Sequence, residues 1–224
     1  MGFTLRDYQE ACVAEAERRN LLAVLPTNSG KTIIAAELVH RSIGEGKKVC
    51  FLAPSGALAI QQANVLLNYT DLLHMDSRRV KGRLGIAIGG DRGERGLADV
   101  GWQDAFELCQ CVVMKPAFFE RALTRGKLRL KDIALLVIDE AHHTRGNSFY
   151  KCIMTHFYRE DCGPRILALT ASPIEGKANA PPSRDQAKAQ LRELEEGVRA
   201  LAWSWADLPP QARLNEIELI YSIK

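Results

Sequence analysis

Residues 21–39 read LLAVLPTNSGKTIIAAELV. The first five, Leu21–Leu25, are apolar without alternation, as a strand covered on both faces must be. Pro26, Thr27, Asn28, Ser29 and Gly30 then supply the residue types of a tight loop. From Thr32 to Ile43 the apolar spacing is helical. A strand that enters a helix through Gly30-Lys31-Thr32 is suited to hold phosphate. Loop N–H groups and the helix N-terminus face the phosphate oxygens. Lys31 is expected to reach β- and γ-phosphates, and the Thr32 hydroxyl to ligate Mg²⁺. The spacing follows GxxxxGK[ST] except at its first position, where Leu25 replaces glycine. An incidental Gly-Lys-Thr helix start is the plain alternative, and the correct flanking strand and helix weigh against it.

Two further strand ends carry chemistry. In LLVIDEAHH, residues 135–143, an apolar strand delivers Asp139 and Glu140 to its C-terminal end. Ligands of parallel sheets bind at that end. Asp139 is expected to hold Mg²⁺ through water, and Glu140 to orient or deprotonate an attacking water. Two acids closing a strand are common, so the pair gains weight only beside Lys31 in one sheet. His142 and His143 are adjacent and point in different directions, which argues against a shared metal. In ILALTASPI, residues 166–174, Thr170 and Ser172 reach the same edge, where their hydroxyls can bond the Asp139–His142 loop. An ordinary polar strand end is the alternative.

Strand-like and helix-like segments alternate along the chain, the pattern of an α/β parallel sheet with helices on both faces. Strands are predicted at 21–25, 49–53, 84–88, 111–114, 133–138, 166–169 and 217–222. Helices are predicted at 5–19, 32–43, 57–67, 102–108, 116–124 and 148–157. Composition shifts after Pro173: GKANAPPSRDQAKAQ, residues 176–190, reads as a linker, and LRELEEGVRAL, residues 191–201, as a helix. The expected division is 1–175 for a phosphate-binding sheet domain and 176–224 for a linker, helix and strand leading to a further domain. A chain that stops just past IELIY, residues 217–221, reads as a fragment.

The chain has 224 residues, 46% hydrophobic and 25% charged, which excludes disorder throughout. No apolar run is long enough for a membrane span, so no membrane partner is expected. A net charge of +3 is too mild to imply nucleic acid by itself. The six cysteines form no CxxC pair; Cys50, Cys109 and Cys111 sit in apolar runs and read as small core residues. A reducing compartment, cytoplasmic or nuclear, fits them.

RDYQ, PTNSGKT, APSGALAIQQ, DEAH and TAS stand in the order found in the first RecA-like lobe of the superfamily-two DExD/H-box helicases. The chain resembles that lobe over nearly its whole length. Within the superfamily it looks most like the N-terminal helicase region of Dicer and Dicer-like proteins. The residues that carry this likeness include residues 112–143, from VVMKP to DEAHH, and PRILALTASPIEGK followed by LRELEEGV. The resemblance implies a RecA-like (P-loop NTPase) fold and an ATP- and Mg²⁺-dependent helicase acting on double-stranded RNA in RNA silencing. It assigns Lys31, Asp139 and Glu140 to catalysis. ATP contacts fall to Arg6, Gln9, Pro26, Thr27, Asn28, Ser29, Gly30, Lys31 and Thr32, with Gln9 in the place of the adenine-reading glutamine and Tyr8 beside it. Asn28 departs from the glycine usual in these loops, and asparagine tolerates left-handed backbone better than most residues. His142, Thr170 and Ser172 take coupling roles.

Pro54, Ser55, Gln61, Lys115 and Pro116 match motifs that touch nucleic-acid backbone, with Lys-Pro replacing the family's Thr-Pro; loop or helix-cap roles are equally open. The basic residues Arg78, Arg79, Lys81, Arg83, Arg92 and Arg95 read as solvated surface first and RNA contacts second. Expected partners are a second RecA-like lobe and RNase III domains of a longer protein, and a double-stranded-RNA-binding protein. A Hef- or Fanconi-type DNA helicase and an innate-immune RNA sensor remain open, as does a non-catalytic nucleotide- or RNA-binding module.

Overall fold

The computed structural model describes residues 4–70, 73–74, 83–87, 109–146, 148–174, 182–204 and 207. Eight strands occur among them: β1 Leu21–Val24, β2 Val49–Leu52, β3 Leu73–His74, β4 Arg83–Ala87, β5 Cys111–Met114, β6 Leu135–Ile138, β7 Arg165–Thr170 and β8 Leu201–Ser204. They form one sheet in the order β3-β4-β5-β2-β6-β7-β1-β8, parallel at every pairing. The helices are α1 Asp7–Arg18, α2 Lys31–Gly44, α3 Gly56–Tyr69, α4 Pro116–Thr124, α5 Phe149–His156 and α6 Arg184–Val198.

Strand alternation sorts side chains into two cores. Leu21, Ala23, Phe51, Val113 and Val137 pack with Tyr8, Ile34 and Leu66 of α1, α2 and α3. Leu22, Leu52, Met114 and Ile138 pack with Phe119, Tyr150 and Leu194 of α4, α5 and α6. Both faces are therefore dry, which is why the strands read as unbroken apolar runs. The chain has the RecA-like α/β fold expected from its sequence. Cys50, Cys109 and Cys111 are buried, and burial pushes the Cys50 and Cys111 thiols upward, away from the reactive thiolate.

The segment after Pro173 corrects the sequence reading. The helix expected at 191–201 starts earlier, at Arg184, and stops at Val198. Ser183 caps it by accepting from the Gln186 N–H, while the Gln186 side chain accepts from the Ser183 N–H. Arg199 then turns through left-handed backbone at φ 53°. Leu201 belongs to β8, which pairs with β1 from Leu21↔Leu201 to Val24↔Ser204. Residues 184–204 are thus one layer and one strand of the same sheet, so the expected division at 175 and 176 is not a packing boundary. Thr144 lies against Gly197 of α6, and Arg145 donates to the Gln190 carbonyl of α6 at 3.2 Å. The short β3 was not expected. The predicted helix at 102–108 and strand at 217–222 lie outside the described residues, as do Arg78, Arg79, Lys81, Arg92 and Arg95.

Candidate nucleotide site and nucleic-acid groove

The sheet order places β6, β7 and β1 side by side, so the three chemical motifs share one C-terminal edge. The Leu25 N–H donates to the Thr170 carbonyl at 3.1 Å, joining the phosphate loop to β7. The loop closes around the Pro26 carbonyl, which accepts from Ser29 Oγ at 2.8 Å and Lys31 Nζ at 2.9 Å. Lys31 Nζ also donates to the Leu25 carbonyl at 3.1 Å. Burial pulls the Lys31 pKa down, opposed by the nearby Glu140 and Asp139 charges. Asn28 holds φ 64° and Gly30 φ 78°. The left-handed φ at Gly30 favours glycine, and a Cβ there would press on the Gln9 side-chain amide.

Gln9, which stands in the place of the adenine-reading glutamine, is buried. Its Oε1 accepts from the Arg6 N–H at 3.0 Å and its Nε2 donates to the Ser29 carbonyl at 3.3 Å. The Tyr8 hydroxyl donates to the same carbonyl. Helix α1 therefore braces the loop, while Arg6, Pro26, Thr27 and Asn28 are exposed beside it.

Asp139 is 5% exposed. Its Oδ1 accepts from the Glu140 N–H at 3.0 Å and its Oδ2 from Gln62 Nε2 at 2.7 Å. Burial, with the adjacent Glu140 charge adding to it, raises the Asp139 pKa to about 6. Glu140 turns through φ 50° and starts a 3-10 turn over Ala141–Thr144. His142 Nδ1 lies 3.1 Å from Thr170 Oγ1 and 3.4 Å from Glu140 Oε2. The expected link between the DEAH turn and the strand ending TAS is thus made by Thr170. Ser172 is exposed and contributes its backbone N–H, which donates to Thr170 Oγ1 at 3.2 Å. The His143 ring lies tilted against that of His142, with centroids 4.3 Å apart.

These residues fit a nucleoside triphosphate with Mg²⁺. A buried carboxylate with a raised pKa beside a second carboxylate is a site where a divalent cation relieves charge. The glycine cradle and Lys31 face it from β1. Thr32 opens α2 at the same edge.

A groove of 550 Å³ lies nearby, lined by Pro54, Ser55, Lys115, Pro116, His143 and Phe149 among others. It joins four of the five residues expected on nucleic-acid backbone. Pro116 is buried and shapes the groove from below, while Phe149 is 53% exposed. Gln61, the fifth, is exposed on α3 and does not line it. Its neighbour Gln62 was missed, and it is Gln62 that reaches the site. The spacing Ala59, Gln62, Ala63, Leu66, all buried, marks the inner face of α3 and was available as a signal. A larger cavity of 1030 Å³ opens at the opposite edge of the sheet, where Arg41 pairs with Glu17 at 3.0 Å; the chemistry is not there.

Residues 6–180 match the family of DEAD/DEAH box helicases. The chain belongs to that family. It is 35% identical over 185 residues to the endoribonuclease Dicer homolog 2b of rice, covering 77% of this chain and 13% of that protein. Dicer-like protein 1 of Neurospora crassa is 33% identical over 187 residues, 78% of this chain and 11% of that protein. The ATP-dependent DNA helicase MPH1 of Debaryomyces hansenii is 35% identical over 181 residues, 78% of this chain and 15% of that protein. The Hef helicase domain of Pyrococcus furiosus superposes with a TM-score of 0.70 at 27% identity, covering 94% of this chain and 40% of that one. The chain spans only a small part of the curated relatives it matches. Among the described residues, no helix is long and apolar enough to cross a membrane.

Proposed function

We propose that this chain is the ATP-binding lobe of a Dicer-like helicase acting on double-stranded RNA in RNA silencing, in the cytoplasm or nucleus. The observation that carries the reading is a lysine facing two acids across β7, with Lys31 at the end of the β1 loop and Asp139 and Glu140 on the β6 turn. Bound Mg²⁺ supplies neutralisation of charge on the β- and γ-phosphates. Lys31 and the loop N–H groups hold the phosphates, and Thr32 and Asp139 hold the metal. Gln9 and Arg6 meet the base. Glu140 orients the attacking water and takes its proton. His142 and Thr170 pass the state of that turn to β7. Pro54, Ser55 and Lys115 line the groove for the RNA backbone, and Gln61 stands on the outer face of α3 for it. In the longer protein a second RecA-like lobe, RNase III domains and a double-stranded-RNA-binding protein are the partners.

The Dicer homologues of rice and Neurospora crassa support RNA over DNA. MPH1 and Hef support a second reading, a DNA helicase lobe of the same chemistry. Steady-state ATPase assays test both. Residues 1–224 alone are expected to turn over very slowly with little response to duplex RNA, because developing γ-phosphate charge lacks an arginine finger, worth about 10³–10⁵ in rate. Robust RNA-stimulated turnover by this chain would overturn the dependence on a second lobe. Joined to that lobe, stimulation by duplex RNA above duplex DNA supports the Dicer-like reading, and the reverse order replaces it with the DNA one.

A further inference from the structure

We propose that Gln62 is a positioning residue of the nucleotide site, fixing the Asp139 carboxylate in the direction from which it holds Mg²⁺. The inference rests on the site reading above. Helix α3 buries Ala59, Gln62, Ala63 and Leu66 against the sheet, and Gln62 alone among them is polar. A buried amide on an apolar face is costly unless both of its ends are paired. Here one end is paired and the other is not. Nε2 donates to Asp139 Oδ2 at 2.7 Å, while Oε1 is buried with no hydrogen-bond partner. An ionised carboxylate only accepts, so the NH₂ group must face Asp139 and the carbonyl end must take the unpaired place.

An apolar side chain of similar length would fill the same space without an orphaned acceptor. Packing therefore gives no reason for an amide at this position, and Asp139 does. With Gln62 on Oδ2 and the Glu140 N–H on Oδ1, each oxygen has one fixed donor. The carboxylate plane cannot rotate without breaking one of them, and each oxygen keeps a lone pair for a metal or its water. The donor rides on a different element from the acceptor. Gln62 sits two turns into α3, whose N-terminus is capped by the Ser55 hydroxyl accepting from the Leu58 N–H at 3.3 Å.

Calorimetric titration of a non-hydrolysable ATP analogue into the 224-residue chain tests this, in EDTA and across a Mg²⁺ series, with no activity needed. Gln62→Met keeps length and removes the donor. It is expected to leave metal-free nucleotide affinity within about twofold and to weaken apparent Mg²⁺ affinity about tenfold, the loss of one hydrogen bond to a charged group. Gln62→His, whose ring can donate, is expected to restore most of that affinity. Unchanged Mg²⁺ dependence in a parent that binds nucleotide and a folded Gln62→Met chain would overturn the inference and leave the site reading intact. A parent that binds no nucleotide in either buffer overturns both. Should Gln62→Met not melt cooperatively, Gln62→Leu carries the same comparison. If neither folds, the amide is a packing requirement and the inference fails.

Discussion

The loop after β1 and the turn after β6 face each other across β7, and both pass through left-handed backbone, at Asn28 and Gly30 in one and Glu140 in the other. They are held to different degrees by the rest of the fold. The loop has an open tip and is closed largely by its own bonds: Pro26, Thr27 and Asn28 are exposed, Ser29 and Lys31 bond carbonyls of the loop, and Tyr8 and Gln9 of α1 brace it only at the Ser29 carbonyl. The turn is deep and held from elsewhere, by Gln62 of α3, the Tyr150 hydroxyl of α5 donating to the Asp139 carbonyl at 3.3 Å, and Thr170 of β7. Substitutions in the loop should therefore change binding and spare the fold. Substitutions in the turn should mix chemistry with stability.

The largest effect is expected at the turn. Glu140→Gln keeps side-chain shape and leaves Asp139 in place, so nucleotide binding should persist. Loss of the base should slow hydrolysis about 10²–10⁴-fold in a protein carrying both lobes. An unchanged turnover number would remove Glu140 from the chemistry. At the loop, Lys31→Ala deletes a charge-assisted phosphate contact and should weaken ATP binding by about 1.5–3 kcal/mol. Its own partners are loop carbonyls at a half-exposed site, so the melting temperature should barely move. Equal ATP affinity by calorimetry would reject the phosphate-loop assignment.

Asp139→Asn separates depth from chemistry through pH. The folded-state pKa of about 6 lies above the ordinary 3.8, so the folded chain binds this proton more tightly than the unfolded chain. Its stabilising share is full below the unfolded value, falls as pH rises through about 6, and stays lost above. Asparagine carries no such charge. In EDTA the variant should gain about 2–2.5 kcal/mol on the parent between pH 4 and pH 8, measured by denaturant unfolding. A stability gap that does not change with pH would mean the carboxylate is not under strain from burial.

The same contrast explains what could be read from the amino acids alone. The β1 loop is local, and its strand, glycine, lysine and helix lie within one stretch, so its shape and members were legible. The turn draws on Gln62, 77 residues away in sequence, and only the apolar spacing of α3 separates it from exposed Gln61. Helix α6 was cut short because Ala, Lys and Gln at 187–190 read as linker by composition. The Ser183 and Gln186 capping pair was the signal that its start lay earlier. Its end had none: Arg199 takes the left-handed turn usually given to glycine, so nothing in the sequence divided LRELEEGVRAL from the strand at Leu201.

The smallest expected effect probes the loop's one departure from its family. Asn28 holds φ 64°, a conformation that costs a residue bearing a Cβ more than it costs glycine. Asparagine tolerates that region, so the strain relieved by Asn28→Gly is about 1 kcal/mol or less. Glycine also widens the unfolded ensemble, which offsets part of the gain in stability. Net stability should then change by less than about 0.5 kcal/mol. Nucleotide affinity should stay equal or improve, since the backbone N–H groups that face the phosphates are unchanged. A stability change that small together with a tenfold loss of ATP affinity would have one physical meaning. The exposed Asn28 amide itself would be touching the nucleotide, and the loop would bind through a side chain as well as through its backbone.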